Sequence, residues 1–264
     1  MKLYKVLFYI YFLVYLVTAL VILVKADRAI INPNWVAMTF FYLISFHMYE
    51  KNKTLVFITL LFGFLTSFFI YESRGTSVSY LVAILTLSFL SISHKFVRFV
   101  VILVLTSISI GYFCFLDFLM NYREVVELLI AQYTERGLGG REGVFILGYQ
   151  YLLDSNFLGY GIEISGSFED PEKGEGVHIH FGLLDLALKF SIAIVGVYLI
   201  FVYYYIRKVD IKFLPFLAGA LMTVFYYNGL APSHLGLNFL LYLFLGYAYY
   251  NSISLEKYRE KDNG

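Results

Sequence analysis

The chain has 264 residues, of which 60% are apolar, 20% aromatic and only 15% charged, and its formal net charge is +1. Soluble domains run nearer 45–50% apolar and about 25% charged, so 39 charged side chains are too few to coat a globule of this size. The balance argues against disorder, nucleic-acid binding and a large soluble catalytic domain. It fits a chain whose apolar surface faces lipid. The single cysteine, Cys114, leaves no partner for an internal disulfide.

Long apolar runs predict spans at about Val6–Val24, Trp35–Tyr49, Thr54–Tyr71, Thr76–Ser93, Val97–Leu116, Leu183–Ile206, Phe213–Tyr227 and Leu235–Tyr250. Helices are expected throughout, because a bilayer interior requires each segment to satisfy its own backbone. The alternating pattern of outer-membrane strands is absent. The first run is too long for the apolar core of a signal peptide and ends in Val24-Lys25-Ala26-Asp27, without a small-x-small cleavage site, so it reads as an uncleaved span. The expected fold is therefore an all-α polytopic membrane protein of about eight transmembrane helices, with 1–264 forming one integral membrane domain.

The loops give this count its orientation. With the N-terminus inside, the inner face receives 12 basic residues against five acids, a balance of +7. The outer face receives seven basic residues and 13 acids, a balance of −6. This asymmetry follows the positive-inside rule and predicts both termini on the cytoplasmic side. Residues 117–180, between spans five and six, form one large external loop that holds ten of the 20 glycines and most of the external acids. No internal repeat is present, so an inverted-repeat transporter gains no support.

Several residues on the external side carry chemistry. Arg74 sits in the short Glu72-Ser73-Arg74-Gly75 connection between two apolar runs. It reads either as an interfacial arginine paired with Glu72 or as an anion-binding guanidinium, whose fork suits phosphate oxygens. In the large loop, Glu135-Arg136-Gly137-Leu138-Gly139-Gly140-Arg141-Glu142-Gly143 precedes an apolar stretch through Leu153. That pattern reads either as a flexible glycine linker or as an anion site, with backbone N–H groups and a helix N-terminus facing a negative group and Arg141 standing at that terminus. It is no Walker A loop, since the Gly-Lys-Ser/Thr ending is missing. Asp154-Ser155-Asn156-Phe157-Leu158-Gly159-Tyr160-Gly161 reads as a turn, and Glu169–Glu175 as a solvated acidic segment rather than a cation site.

His178-Ile179-His180 lies where span six begins. Histidines at i and i+2 do not share a helix face, and no third ligand is spaced for zinc, so a proton-transfer or hydrogen-bonding role is the sharper reading. His234 is on the same side and His94 on the opposite one. Asp185 and Lys189, four apart within span six, are expected to pair along one helix face as structural glue.

Three stretches, in this order, resemble the O-antigen ligase and O-antigen polymerase superfamily of bacterial membrane glycosyltransferases. Ser73-Arg74-Gly75 is similar to the family's Ser-Arg-Gly at an external helix end. Arg141, an apolar helix and Asn156-Phe157-Leu158-Gly159-Tyr160-Gly161 resemble its Arg, helix and Asn-Pro-Leu-x-Gly-x-Gly pattern. His178-Ile179-His180 before an apolar span resembles its His-x-His-Asn. The likeness covers roughly residues 54–205. Phe157 stands in place of the usual proline and Phe181 in place of the usual asparagine, while Ser191 and Ile194 occupy positions where glycines are expected. The chain is also shorter than most relatives.

The resemblance implies transfer of a glycan from undecaprenyl diphosphate to an acceptor sugar, a glycan end or lipid A core, at the periplasmic face of the bacterial inner membrane. It implies Arg74, Arg141 and His180 as catalytic residues, with His178, Glu142, Arg136, Gly159 and Gly161 binding substrate. Glu142 and Glu163 are rivals to His180 as base. Neither a metal nor another cofactor is expected, and the partners are the lipid-linked donor, the acceptor and membrane lipid, with no nucleic acid. The alternatives are a non-catalytic transporter of lipid-linked glycan and an inactive short member of the family.

Overall fold

The computed structural model describes residues 2–25, 33–47, 52–90, 93–122, 141–161, 168–169, 176–177, 182–226, 242–243, 245–250 and 252–253. They are helical apart from short connections and one two-residue antiparallel pair, Phe168–Glu169 with Gly176–Val177. The helices are α1 (Lys2–Lys25), α2 (Pro33–His47), α3 (Lys53–Phe69), α4 (Arg74–Phe89), α5 (His94–Asn121), α6 (Arg141–Asp154), α7 (Gly182–Phe190), α8 (Ile192–Lys208) and α9 (Leu214–Tyr226), the last entered through a 3₁₀ turn at Ile211–Phe213.

One described helix, over His94–Phe118, is long and apolar enough to cross a membrane by length and composition, and only 22% of its most apolar stretch is buried. Shorter apolar helices run over Phe8–Val24, Lys53–Phe69, Gly75–Phe89 and Ile211–Met222. Their hydroxyls are held within the helices. Among the described residues, nine serine and threonine side chains, including Thr18, Thr66, Ser77, Thr86 and Ser109, donate to the carbonyl four residues earlier. That arrangement satisfies a polar group without solvent.

The chain divides into two compact units. The first comprises 1–101, 204–223 and 232–264. Here α3 and α4 pack so closely that a Cβ on Gly63 would collide with the Tyr80 ring. Tyr80 donates to the Ala37 carbonyl of α2 at 3.1 Å. Gly219 of α9 meets Phe41 and the Ser79 carbonyl in the same way, each 2.5 Å from where a side chain would begin. Around these contacts lie Phe8, Tyr15, Phe40, Phe41 and Phe216, with Tyr15 stacked on Phe40 at 4.2 Å between centroids.

The second unit comprises 102–203 and 224–231. In it α6 packs on α7, and the expected single span over Leu183–Ile206 is instead two helices broken at Ser191. Ser191 has φ of +114°, which no α-helix accommodates. The chain turns there because the break has a partner, described below.

Candidate functional site

The connection that delivers Arg74 is short and pinned at both ends. Ile70 and Tyr71 donate their N–H groups to the Thr66 carbonyl at 2.9 and 3.0 Å, and Ser73 donates to the Ser67 carbonyl at 2.9 Å. Glu72 makes the turn with φ of +50°. The Tyr71 hydroxyl donates to the Tyr15 carbonyl at 2.7 Å, and the Tyr15 and Thr66 hydroxyls are hydrogen-bonded to each other. Beyond the turn, Ser73 donates its hydroxyl to Thr76 Oγ1 at 2.8 Å, and Ser77 donates to the Ser73 carbonyl at 2.8 Å. Ser73, Thr76, Ser77 and Ser79 are all buried. Arg74 is thus the first residue of a helix whose entrance is fixed by buried hydroxyls. Those hydroxyls escaped the sequence reading. The Ser-x-x-Thr-Ser spacing from Ser73 to Ser77 was the available signal.

Arg141 and Glu142 are the first two residues of α6, as the glycine-rich approach predicts. Arg136, Glu163, His178 and His180 lie outside the described residues. On the same unit, Tyr149 is nearly buried on α6. Its burial first, and then the nearby Asp117 carboxylate, push its phenol above the usual value, so it holds its proton and is no base at neutral pH.

The turn after α6 is closed by its own backbone. Asn156 donates to the Leu153 carbonyl at 2.8 Å and Phe157 to the Leu152 carbonyl at 2.9 Å, with Asn156 at φ of +51°. This is a Schellman end, with asparagine in the left-handed position that glycine more often takes. Ser155 Oγ then accepts the Gly159 N–H at 3.1 Å while donating to the Leu152 carbonyl at 2.8 Å.

From there the chain docks into the helix break. Tyr160 donates to the Leu188 carbonyl at 2.6 Å and Gly161 to the Lys189 carbonyl at 3.0 Å. The Phe157 carbonyl accepts the Ile192 N–H at 3.1 Å. Both helix ends at the break therefore find partners in one turn: carbonyls of α7 receive two N–H groups, and the first N–H of α8 is received by a carbonyl. Gly159 has φ of +78°, and a Cβ there would lie 2.8 Å from the carbonyl oxygens of both Ala187 and Leu188. Gly161 has φ of +94° with open space around it. Gly159 and Gly161, expected from the resemblance to bind substrate, make these backbone contacts to α7.

Asp185 and Lys189 pair as their spacing predicts, with Nζ 2.6 Å from Oδ2 and both residues 5% exposed. The acid lies in the first turn of α7 and the base in the last, each where the helix dipole favours it. Among the described residues no group of three or more His, Cys, Asp and Glu side chains could hold a metal ion.

Comparison with protein-family models, curated proteins and solved structures found no match. Two arginines, Arg74 and Arg141, each open a helix. Charge of that sign opposes the helix dipole.

Proposed function

We propose that the chain is a membrane glycosyltransferase of the O-antigen polymerase or ligase type, which moves a glycan from undecaprenyl diphosphate to an acceptor sugar on the external face of a bacterial inner membrane. The observation that carries the reading is that Arg74 and Arg141 are each the first residue of a helix. In support, the loop charges sort to +7 and −6 when the eight expected spans are laid with both termini inside, and apolar residues line the exposed faces of α1, α3, α5 and α8.

In the reaction, the acceptor hydroxyl attacks the anomeric carbon of the donor. The new glycosidic bond forms as the bond from that carbon to the phosphate oxygen breaks. The diphosphate leaves with the electron pair, and the hydroxyl proton passes to a base, for which His180 is the first choice. Negative charge grows on the leaving diphosphate, and Arg74 and Arg141 are assigned to stabilise it in the transition state. His178, Glu142 and Arg136 are assigned to the sugars and the outer phosphate. Polymerase is favoured slightly over ligase.

A second reading, a transporter of lipid-linked glycan, draws support from the broken helix at Ser191 and the buried pair beside it, because discontinuous spans form midplane sites in many transporters. Against it, the ends at this break are taken up by Phe157, Tyr160 and Gly161 rather than left for a substrate.

The test is purified protein given a defined undecaprenyl-diphosphate oligosaccharide, with products sized with and without lipid A core. Longer carrier-linked chains mean polymerase and modified core means ligase, whereas no transfer favours the transporter or an inactive member. Arg74→Ala and Arg141→Ala are each expected to lower transfer by about 100-fold or more while the protein still inserts. Normal transfer in either variant sinks the diphosphate reading.

A further inference from the structure

The buried pair and the docked turn belong to one assembly. The residue whose side chain closes the ion pair, Lys189, is also the residue whose carbonyl receives Gly161. Its neighbour Leu188 receives Tyr160. The helix that presents these carbonyls has only nine residues, a length at which a helix is marginal without help. It ends against Ser191, where the backbone leaves helical space altogether. Loss of its last turn would withdraw both carbonyls at once. The Asp185–Lys189 bond spans that turn, tying position 189 back to position 185 inside a buried environment where charge attraction is weakly screened.

From this geometry we infer that Asp185 and Lys189 are positioning residues for the external segment: their ion pair keeps the last turn of α7 formed, so that the turn at 157–161 stays locked in the break and α6 is held in place. The turn follows α6 directly, and α6 begins at Arg141, roughly 20 Å up the helix at 1.5 Å per residue. A rigid link therefore runs from the buried pair through the turn to the arginine. Only this last step rests on the reading of Arg141 as a ligand of the diphosphate.

The lock is measured without substrate. In a Cys114→Ser background, Phe157→Cys and Ile192→Cys place thiols on the two residues joined by the carbonyl bond, both partly exposed at 39% and 36%. Oxidation in native membranes, followed by labelling of free thiols with a polyethylene-glycol maleimide, reads the locked fraction. Most of the protein is expected to cross-link. Asp185→Asn and Lys189→Met should each reduce that fraction at least fivefold, while Asp185→Glu and Lys189→Arg keep it within twofold. No cross-link in the parent, or an undiminished one in the neutral variants, overturns the inference.

Where a neutral single variant fails to accumulate, the double variant Asp185→Asn with Lys189→Met takes its place, since it leaves no lone buried charge. The same loss is expected, and retention of the cross-link overturns the proposal. With the undecaprenyl-diphosphate oligosaccharide as donor, Lys189→Met should lower kcat at least tenfold with KM changed less than threefold, and Lys189→Arg should restore kcat. A rise in KM at unchanged kcat overturns the link to Arg141. A parent protein that locks but transfers nothing counts against the glycosyltransferase reading and leaves the lock standing.

Discussion

Ser191 occupies a backbone conformation, φ of +114°, that suits glycine and strains any side chain. Ser191→Gly should therefore stabilise the protein by about 1 kcal/mol, read as a higher unfolding midpoint in detergent. An unchanged or lower midpoint means that the serine hydroxyl contributes more than its backbone costs. Gly159 and Gly161 make a sharper pair. Both have positive φ, but only Gly159 faces carbonyl oxygens at 2.8 Å. Gly161→Ala should cost about 1–2 kcal/mol for its backbone alone, and Gly159→Ala clearly more, because α7 must also move. Equal costs would show that the close approach is relieved cheaply. Phe157 lies at φ of +63°, a value closed to proline, whose ring holds φ near −65°. The turn is thus built differently from an Asn-Pro-Leu turn, and the absence of proline at this position follows from its geometry.

At the scale of elements, what was legible depended on the range of the signal. Apolar runs locate helices because the period and length are local. The pairing of Asp185 with Lys189 was legible for the same reason, since four residues are one helical turn. The break between α7 and α8 was not, because Phe190-Ser191-Ile192 contains neither glycine nor proline and its cause lies about thirty residues upstream. The turn signal at Asn156–Gly161 was plain, but nothing in it names the partner. Arg98 is a further case. Counted with the inner-face charges, it also caps the end of α8, donating to the Ile206 carbonyl, to that of Arg207 at 3.2 Å and to that of Val209 at 2.6 Å. Helix ends leave such carbonyls without intrahelical partners. Arg98→Met should destabilise by about 2 kcal/mol, given charge-assisted bonds of about 1.5–3 kcal/mol less solvent screening. A midpoint shift under 1 °C in thermal unfolding would show that water replaces the guanidinium freely.

At the scale of the whole molecule, the proposed arrangement predicts that a reporter inserted within residues 165–175 reads external and one fused after residue 258 reads cytoplasmic. A cytoplasmic signal at 165–175 overturns the proposed eight-span topology. Candidate residues were legible only as far as their chain neighbourhood. Arg74 and Arg141 could be placed at helix starts, since glycine and short connections mark such ends, whereas the bonds that tie Tyr15 to Thr66 and Tyr71 emerge only from contacts between α1 and the α3 end. The division of the chain also sets an order of synthesis. The unit formed by α1 to α4 is completed by residues beyond 203, among them Gly219 against Phe41. The turn at 157–161 and its socket at 188–192 are, by contrast, close neighbours in the chain. Ribosomes add residues in order, so the lock has all its parts while the first four helices still wait for α9. During biogenesis the turn at 157–161 and its socket therefore settle first, leaving the earliest helices as the last to close their core.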